Sequence, residues 1–256
     1  MGDGQRQRQV GWVLYDSPDG YSRRLLCVWG GGVSQWRAPS IPLTGDWDTD
    51  VNKTITVGVY RTDINPERFE LRNSNSAGPP QIILNAGTQP TGYQPVAGKW
   101  AGSNSVTKVG VLALDGAWYL DNGNFVVDGC PPDTCFNTSA WTQPGDKPLA
   151  GDWDGNGIVT IGVFRPSTGK FYLSNQMPPT GVDVTISAGS YRPVVGNWTG
   201  LGGTKLGVYN QGTGGWYLVN GLVPTTCATD FCYPAGSLGI AEDLPVSFGL
   251  SVIRAN

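Results

Sequence analysis

The seven residues Pro42-Leu-Thr-Gly-Asp-Trp-Asp48 decide the fold of this chain, because their pattern returns three times further along. The later copies are Pro95-Val-Ala-Gly-Lys-Trp100, Pro148-Leu-Ala-Gly-Asp-Trp-Asp154 and Pro193-Val-Val-Gly-Asn-Trp198. Intervals of about 50 residues between copies are typical of propeller blades or solenoid units. The pattern therefore predicts a chain built from repeated units.

Two further motifs follow each copy in a fixed order. The first is a glycine-centred run: Val57-Gly-Val-Tyr60, Val109-Gly-Val-Leu112, Ile161-Gly-Val-Phe164 and Leu206-Gly-Val-Tyr209. The second is an aromatic run: Phe69-Glu-Leu71, Trp118-Tyr-Leu120, Phe171-Tyr-Leu173 and Trp216-Tyr-Leu218. Short β-branched and aromatic runs separated by Gly and Pro turns predict strands. The chain is therefore expected to be all-β.

The two ends of the chain look like complementary parts of one more unit. Pro245-Val-Ser-Phe-Gly249 resembles the start of a fifth copy, while Val10-Gly-Trp-Val13 and Arg24-Leu-Leu-Cys-Val28 resemble the glycine-centred hairpin. A blade shared by both ends pairs the sheet edges and closes a propeller. We therefore expect a five-bladed β-propeller whose N- and C-terminal strands share the last blade. Residues 10–256 would form this single domain, and residues 1–9 a flexible tail; an open solenoid is the alternative.

Composition narrows the classes of function. The formal net charge of -3 offers no basic surface for nucleic acid, and no apolar run reaches the roughly 18 residues that span a bilayer. The chain has no histidine, which excludes Ser-His-Asp, Cys-His and His-metal catalysis. We expect a protein that is not an enzyme, although a carboxylate pair for glycoside hydrolysis stays open.

Four of the five cysteines form two pairs with identical Cys-x4-Cys spacing, Cys130 with Cys135 and Cys227 with Cys232. This spacing predicts two short-loop disulfides, which persist in oxidising compartments. A four-thiolate zinc site is the alternative. Cys27 is left over and is predicted to be a buried, inert thiol.

The third copy continues into a loop rich in side-chain oxygens. Positions one, three, five and nine of this loop are Asp152, Asp154, Asn156 and Thr160, and Gly157 stands at position six. Such a loop can turn its odd positions inward around a hard cation, together with the carbonyl of Ile158. The pattern predicts bound Ca²⁺.

The first copy repeats the acidic triplet at Asp46, Asp48 and Asp50, so one or two Ca²⁺ sites are expected. The alternative is that these side chains cap tight turns through local hydrogen bonds. In copies two and four, Lys108 and Lys205 align with Thr160. Each is interpreted either as a tethered ammonium that replaces the cation or as a solvated lysine.

The run Gly151-Asp-Trp-Asp-Gly-Asn-Gly157, followed by Ile161 to Leu173, resembles the FG-GAP and VCBS-type repeats of bacterial extracellular proteins. The resemblance covers residues 10–256 and is strongest in copy three. It implies an extracellular or cell-surface propeller used in adhesion, ligand binding or as an appendage of a secreted enzyme. It also implies Ca²⁺ ligands, by position, at Asp46, Asp48, Asp50, Asp152, Asp154 and Asn156.

Three functions follow as hypotheses. The first is a non-enzymatic, calcium-binding module for adhesion or interaction with an extracellular protein. The second is a carbohydrate-binding, lectin-like propeller for a glycan ligand, with Trp36 and Trp141 as stacking platforms. The third is a homo-oligomer or fibre in which a terminal strand completes a neighbour's blade. Trp47, Trp100, Trp153 and Trp198 recur at one place in each copy and are predicted to pack between blades.

Overall fold

The computed structural model describes the backbone of residues 11–16, 23–29, 32–37 and 231–233 and, with side chains, residues 40–48, 54–74, 78–86, 92–100, 106–122, 130, 133–189, 191–197, 202–210, 212–213 and 215–219. Every regular element within these ranges is a β-strand, and none is a helix. The prediction of an all-β chain is therefore confirmed.

The first three strands form a sheet of their own. They are β1 (Gly11–Asp16), β2 (Arg23–Trp29) and β3 (Gly32–Arg37), and they pair antiparallel in the order β1-β2-β3. In the described residues these strands pair only with one another.

Four four-stranded antiparallel sheets follow, in a propeller arrangement with each sheet as one blade. Blade 1 consists of β4 (Ser40–Gly45), β5 (Thr56–Arg61), β6 (Arg68–Leu71) and β7 (Ile82–Asn85). Blade 2 consists of β8 (Gln94–Gly98), β9 (Lys108–Leu112), β10 (Ala117–Leu120) and β11 (Thr134–Asn137). Blade 3 consists of β12 (Lys147–Gly151), β13 (Thr160–Arg165), β14 (Lys170–Leu173) and β15 (Val184–Ser187). Blade 4 consists of β16 (Arg192–Gly196), β17 (Lys205–Asn210), β18 (Gly215–Leu218) and β19 (Phe231–Tyr233).

The prediction of five blades, the last shared by both ends of the chain, is wrong, because the described residues form a propeller of four blades. The N-terminal strands copy the glycine-centred hairpin loosely but carry no Pro-x-x-Gly-x-Trp strand, the segment that begins every blade. They pair instead as a separate three-stranded sheet. Residues 245–249, which were expected to complete the shared blade, and the tail 1–9 lie outside the described residues.

Blades are joined face to face by apolar clusters. Tyr60 and Phe69 of blade 1 pack with Val109 and Val111 of blade 2. Leu112 and Trp118 of blade 2 pack with Ile161 and Val163 of blade 3. Phe164 and Phe171 of blade 3 pack with Leu206 and Val208 of blade 4. Burial of apolar surface contributes about 25 cal/mol per Å², so these interfaces stabilise the packing of blade on blade.

The glycines of the motifs mark places where chains approach closely. A Cβ on Gly58, Gly110, Gly162 or Gly207 would lie 2.4–2.8 Å from a leucine Cδ2 on the next strand. A Cβ on Gly45 or Gly151 would lie 2.6 Å from the indole two residues later, which folds back over the strand end. Trp47 and Trp153 are accordingly buried, as predicted, whereas Trp198 is outside the described residues.

The first strand of each blade, β4, β8, β12 or β16, lines a central cavity of about 280 Å³. Among the residues that the structure describes, these strands pair on one side only, with the second strand of their own blade. Their free edge carries a proline at one fixed position: Pro42, Pro95, Pro148 and Pro193. Proline lacks an N–H and is tolerated on such edges, where it blocks further strand pairing.

Candidate metal centre

The loop that joins β12 to β13 carries the predicted metal ligands of copy three. Two glycines in left-handed backbone conformation shape it, Gly155 with a φ of 78° and Gly157 with a φ of 87°. Side chains rarely adopt this conformation, so glycine is the residue that permits such a sharp turn. The loop is thereby wound back on its own first residue, Asp152.

The two carboxylate oxygens of Asp152 have different surroundings. Its Oδ2 accepts a hydrogen bond from the Gly157 N–H at 2.9 Å. Its Oδ1 is buried and has no hydrogen-bond partner. Its backbone is fixed to blade 4, because its N–H donates to Thr204 Oγ1 at 2.8 Å and its carbonyl accepts from the Thr204 N–H at 2.6 Å. The unpaired carboxylate oxygen is therefore held in place from both sides.

Asp154 and Asn156 lie on the outer side of the loop and are exposed. Asp154 accepts from the Asn156 backbone N–H at 3.2 Å and from its side-chain amide at 3.0 Å, and Asn156 Oδ1 accepts from the Ile158 N–H at 2.7 Å. These contacts are the local turn caps of the alternative hypothesis. They occupy only part of the accepting capacity of these oxygens, since each has more than one lone-pair site.

The last two predicted ligands behave differently. The side chain of Ile158 is 52% exposed. The hydroxyl of Thr160 is buried and donates to the Ser174 carbonyl at 2.6 Å, with the Gly151 carbonyl at 3.2 Å. Thr160 therefore ties the first three strands of its blade together, and Thr56 bonds the Gly45 carbonyl in the same way in blade 1.

Copy one shows a different arrangement around its first aspartate. Asp46 is anchored like Asp152, since it exchanges the same pair of bonds with Thr107. Its Oδ2, however, lies 3.3 Å from Lys99 Nζ of blade 2, and the two side chains are only 5% and 7% exposed. A lysine ammonium thus reaches the position where a cation was predicted. Asp48 is half-buried, and Asp50 lies outside the described residues.

The counterpart of Lys99 in blade 4 is Asn197, which is uncharged. Its amide donates to the Gly202 carbonyl at 2.9 Å. In the part of the chain that the structure describes, no Lys or Arg lies within salt-bridge distance of Asp152. The same part contains no cluster of three or more His, Cys, Asp or Glu side chains able to hold a metal. A cation beside Asp152 would therefore need the Asn156 and backbone carbonyl oxygens too.

Lys99 is the residue that sequence reasoning missed. The lysines predicted to be tethered ammoniums or solvated side chains were Lys108 and Lys205, and the Nζ of Lys108 donates to the Asn122 carbonyl of its own blade at 2.6 Å. The signal for Lys99 was present, because Gly98-Lys-Trp100 replaces the acid of Gly45-Asp-Trp47 with a base. Because adjacent copies form neighbouring blades, this acid and this base could have been predicted to pair.

The disulfide between Cys130 and Cys135 is present, with the two Cα atoms 5.9 Å apart, so this prediction is confirmed. Cys135 lies opposite Tyr119 in blade 2, and Cys232 lies opposite Tyr217 at the same register of blade 4. Cys227 is outside the described residues, and the side chains of Cys232 and Cys27 are too. The second disulfide stays a prediction.

The two tryptophans proposed as sugar platforms are not brought together by any described contact. Trp141 is half-buried and packs against the cluster between blades 2 and 3, while the side chain of Trp36 is outside the described residues. A different aromatic pair is exposed. The rings of Tyr191 and Tyr217 stack with centroids 6.1 Å apart, and these residues are 38% and 37% exposed.

No helix in the described residues has the length and apolar character needed to cross a bilayer. A scan of known protein families finds no model that matches this chain, and no curated protein matches its sequence.

Proposed function

We propose that this chain is a non-enzymatic, extracellular Ca²⁺-binding propeller of the FG-GAP/VCBS type that serves adhesion or protein interaction. The observation that carries the proposal is the Oδ1 atom of Asp152, which is buried without a hydrogen-bond partner. A buried acceptor that is left without a hydrogen-bond partner costs about 1–3 kcal/mol, and more when the group is charged. A bound cation removes this cost.

The contrast between the two acidic loops supports one site rather than two. Lys99 already supplies a positive charge to Asp46 in copy one. Asn197 stands at the matching position beside copy three and supplies none. Oδ1 is buried without a hydrogen-bond partner in both Asp46 and Asp152, so the charge of Lys99 is what distinguishes the two loops, and an external cation would take its place beside Asp152.

The oxygens of Asp152, Asp154 and Asn156, with the carbonyl of Ile158, would hold the ion. Hard oxygen ligands and a flexible loop favour Ca²⁺ over Mg²⁺, which keeps more of its water. When bound, Ca²⁺ supplies positive charge to the loop. Because Asp152 is hydrogen-bonded to Thr204, the loop and its ion would fasten blade 3 to blade 4.

The location and the absence of catalysis rest on two further observations. The Cys130–Cys135 disulfide favours an oxidising compartment, since such bonds are rare in the cytosol. The sequence has no histidine, so the common hydrolytic triads cannot form.

Calorimetric titration with Ca²⁺ tests the metal site. Wild-type protein is expected to bind one Ca²⁺ per chain, and Asp152→Asn to lose about tenfold or more in affinity, because a charged oxygen ligand becomes neutral. Asp115→Asn is the matched control: Asp115 caps another exposed turn through the Ala117 N–H at 3.0 Å but has no acidic triplet around it. No binding heat in wild type, or equal loss in both variants, would refute the site.

A carbohydrate-binding propeller is the second candidate, and the exposed Tyr191–Tyr217 pair favours it. Aromatic faces at the surface stack on the apolar face of a sugar ring. Binding on a glycan array that disappears in Tyr191→Ser would support this candidate, whereas an array without signal would leave the interaction module as the function.

A further inference from the structure

The central cavity has a ring of four side chains at one end. Each of the four first strands contributes the residue immediately before its recurring proline, at the same register. These residues are Ile41, Gln94, Lys147 and Arg192, and all four line the cavity. Beyond this ring the wall consists of proline rings and aliphatic side chains, among them Leu43, Val96 and Leu149. The cavity is therefore apolar inside and polar at this mouth.

The polar side of the ring is held together by a contact between blades. Lys147 Nζ donates to Gln94 Oε1 at 3.0 Å, which places the ammonium across the gap between β12 and β8. The amide nitrogen of Gln94 remains as a donor on the same side chain. Lys147 is half-buried, whereas Arg192 is more exposed.

Both charges at this mouth are positive. The described residues that line the cavity include no Asp or Glu. Asp146, the residue before Lys147, is buried and held by Arg165 through two bonds of 2.9 and 2.8 Å, so it is committed elsewhere. Burial, and then the charge of Arg192, lower the pKa of Lys147. Two cations thus share a partly enclosed space on a protein whose net charge is negative.

We propose that this mouth binds a small organic anion, with an oxyanion group between Lys147 and Arg192 and an apolar body against the prolines. Arginine and lysine form short, charge-assisted hydrogen bonds with carboxylate, phosphate and sulfate oxygens. A mostly apolar cleft with a few convergent polar groups is the usual form of a small-molecule site. The cavity of about 280 Å³ accommodates a ligand of one ring rather than a polymer.

Three probes separate the parts of this proposal: benzoate, its neutral isostere benzamide, and inorganic phosphate. Benzoate is expected to bind about tenfold or more tightly than benzamide, because only the anion makes charge-assisted bonds. Phosphate is expected to bind more weakly than benzoate, since it has no apolar body. Equal binding of benzoate and benzamide would overturn the oxyanion site, and tighter binding of phosphate would overturn the apolar part.

Variants locate the binding. We expect Lys147→Met and Arg192→Gln each to lower the affinity for benzoate by about tenfold. The control Lys170→Met removes a lysine from the third strand of blade 3 and should leave this affinity unchanged. A second measurement needs no variant: NMR titration of lysine side chains should show that saturating benzoate raises the pKa of Lys147. Unchanged affinity in Lys147→Met, or an unchanged Lys147 titration, would refute the proposal. None of these readouts depends on Ca²⁺.

Discussion

At the residue scale, the two buried aspartates Asp46 and Asp152 differ in whether a lysine lies beside them. Asp46 and Lys99 form a salt bridge that crosses from blade 1 to blade 2 in nearly complete burial. Asp152 has the same backbone anchor and no such partner. The difference between the two loops therefore lies in Lys99 beside Asp46 and the uncharged Asn197 beside Asp152, where we propose that Ca²⁺ supplies the missing charge.

The Lys99→Met substitution tests the first half of this contrast. Removing one partner of a buried ion pair leaves an uncompensated charge, which typically costs about 3–5 kcal/mol. We expect a loss of this size in the free energy of unfolding, measured by urea denaturation. The double variant Lys99→Met/Asp46→Asn should recover part of it, because no buried charge then remains. A single variant as stable as wild type would contradict the assignment.

Tyr93 makes stability depend on pH at the alkaline end. Burial raises the pKa of Tyr93 to about 12, with smaller contributions from Tyr119, Asp115 and Glu67. The unfolded chain ionises this hydroxyl near pH 10.0, so between pH 10 and 12 the folded protein binds more protons than the unfolded one. Stability must therefore fall as pH rises through this window.

Urea midpoints measured at pH 9, 10 and 11 provide the check. Wild type should lose stability progressively above pH 10, and Tyr93→Phe should show a shallower decline because it lacks this proton. An identical decline in both proteins would show that Tyr93 does not contribute. Tyr60, whose pKa is also raised by burial and by its bond to Glu67, adds to the remaining slope.

At the element scale, the three short motifs correspond to the first three strands of each blade, and this was predictable. The glycine of the second strand faces a leucine of the third at a distance that leaves no room for Cβ, as at Gly58 and Leu71. The glycine two residues before Trp47, Trp100 and Trp153 makes room for the indole. Local sterics of this kind leave a pattern in the sequence, so the order of these strands along the chain could be predicted from it.

The Gly110→Ala substitution tests the packing of this second strand. Its Cβ would lie 2.6 Å from Leu120 Cδ2 and 2.9 Å from the Tyr119 carbonyl oxygen. Overpacking of this kind costs about 1–3 kcal/mol. Gly181→Ala is the matched control, because no atom lies within 4 Å of its Cβ position. Thermal unfolding should show a lower midpoint for Gly110→Ala and little change for Gly181→Ala; equal midpoints would contradict this account of the motif.

At the scale of the whole molecule, less could be predicted. The four copies correctly predicted four blades, but the predicted fifth blade was wrong, because similarity of the terminal segments to a hairpin does not specify which strands they pair with. β1, β2 and β3 pair with one another as two consecutive hairpins, and a hairpin motif does not specify whether a further strand joins it. The central cavity could not be predicted either, because Lys147 and Arg192 belong to different copies and line one cavity only in the folded propeller.

The candidate metal site divides in the same way. The odd-numbered oxygens of the loop and the need for glycine at Gly157 could be predicted from spacing. The burial of Asp152 Oδ1, and the reach of Lys99 to Asp46, depend on how neighbouring blades pack. Contacts between copies determine the charge balance of each loop. These contacts cannot be predicted from the spacing of residues within a single copy.

We propose that one acidic loop of this propeller holds Ca²⁺, whereas a lysine lies beside the first aspartate of the other. An anomalous difference map from crystals grown with Ca²⁺ tests it most directly. We expect four four-stranded blades, one peak in contact with Asp152 Oδ1, and no peak beside Asp46, where Lys99 Nζ lies. Absence of a peak at Asp152, or a peak at Asp46 with Lys99 displaced, would contradict the account.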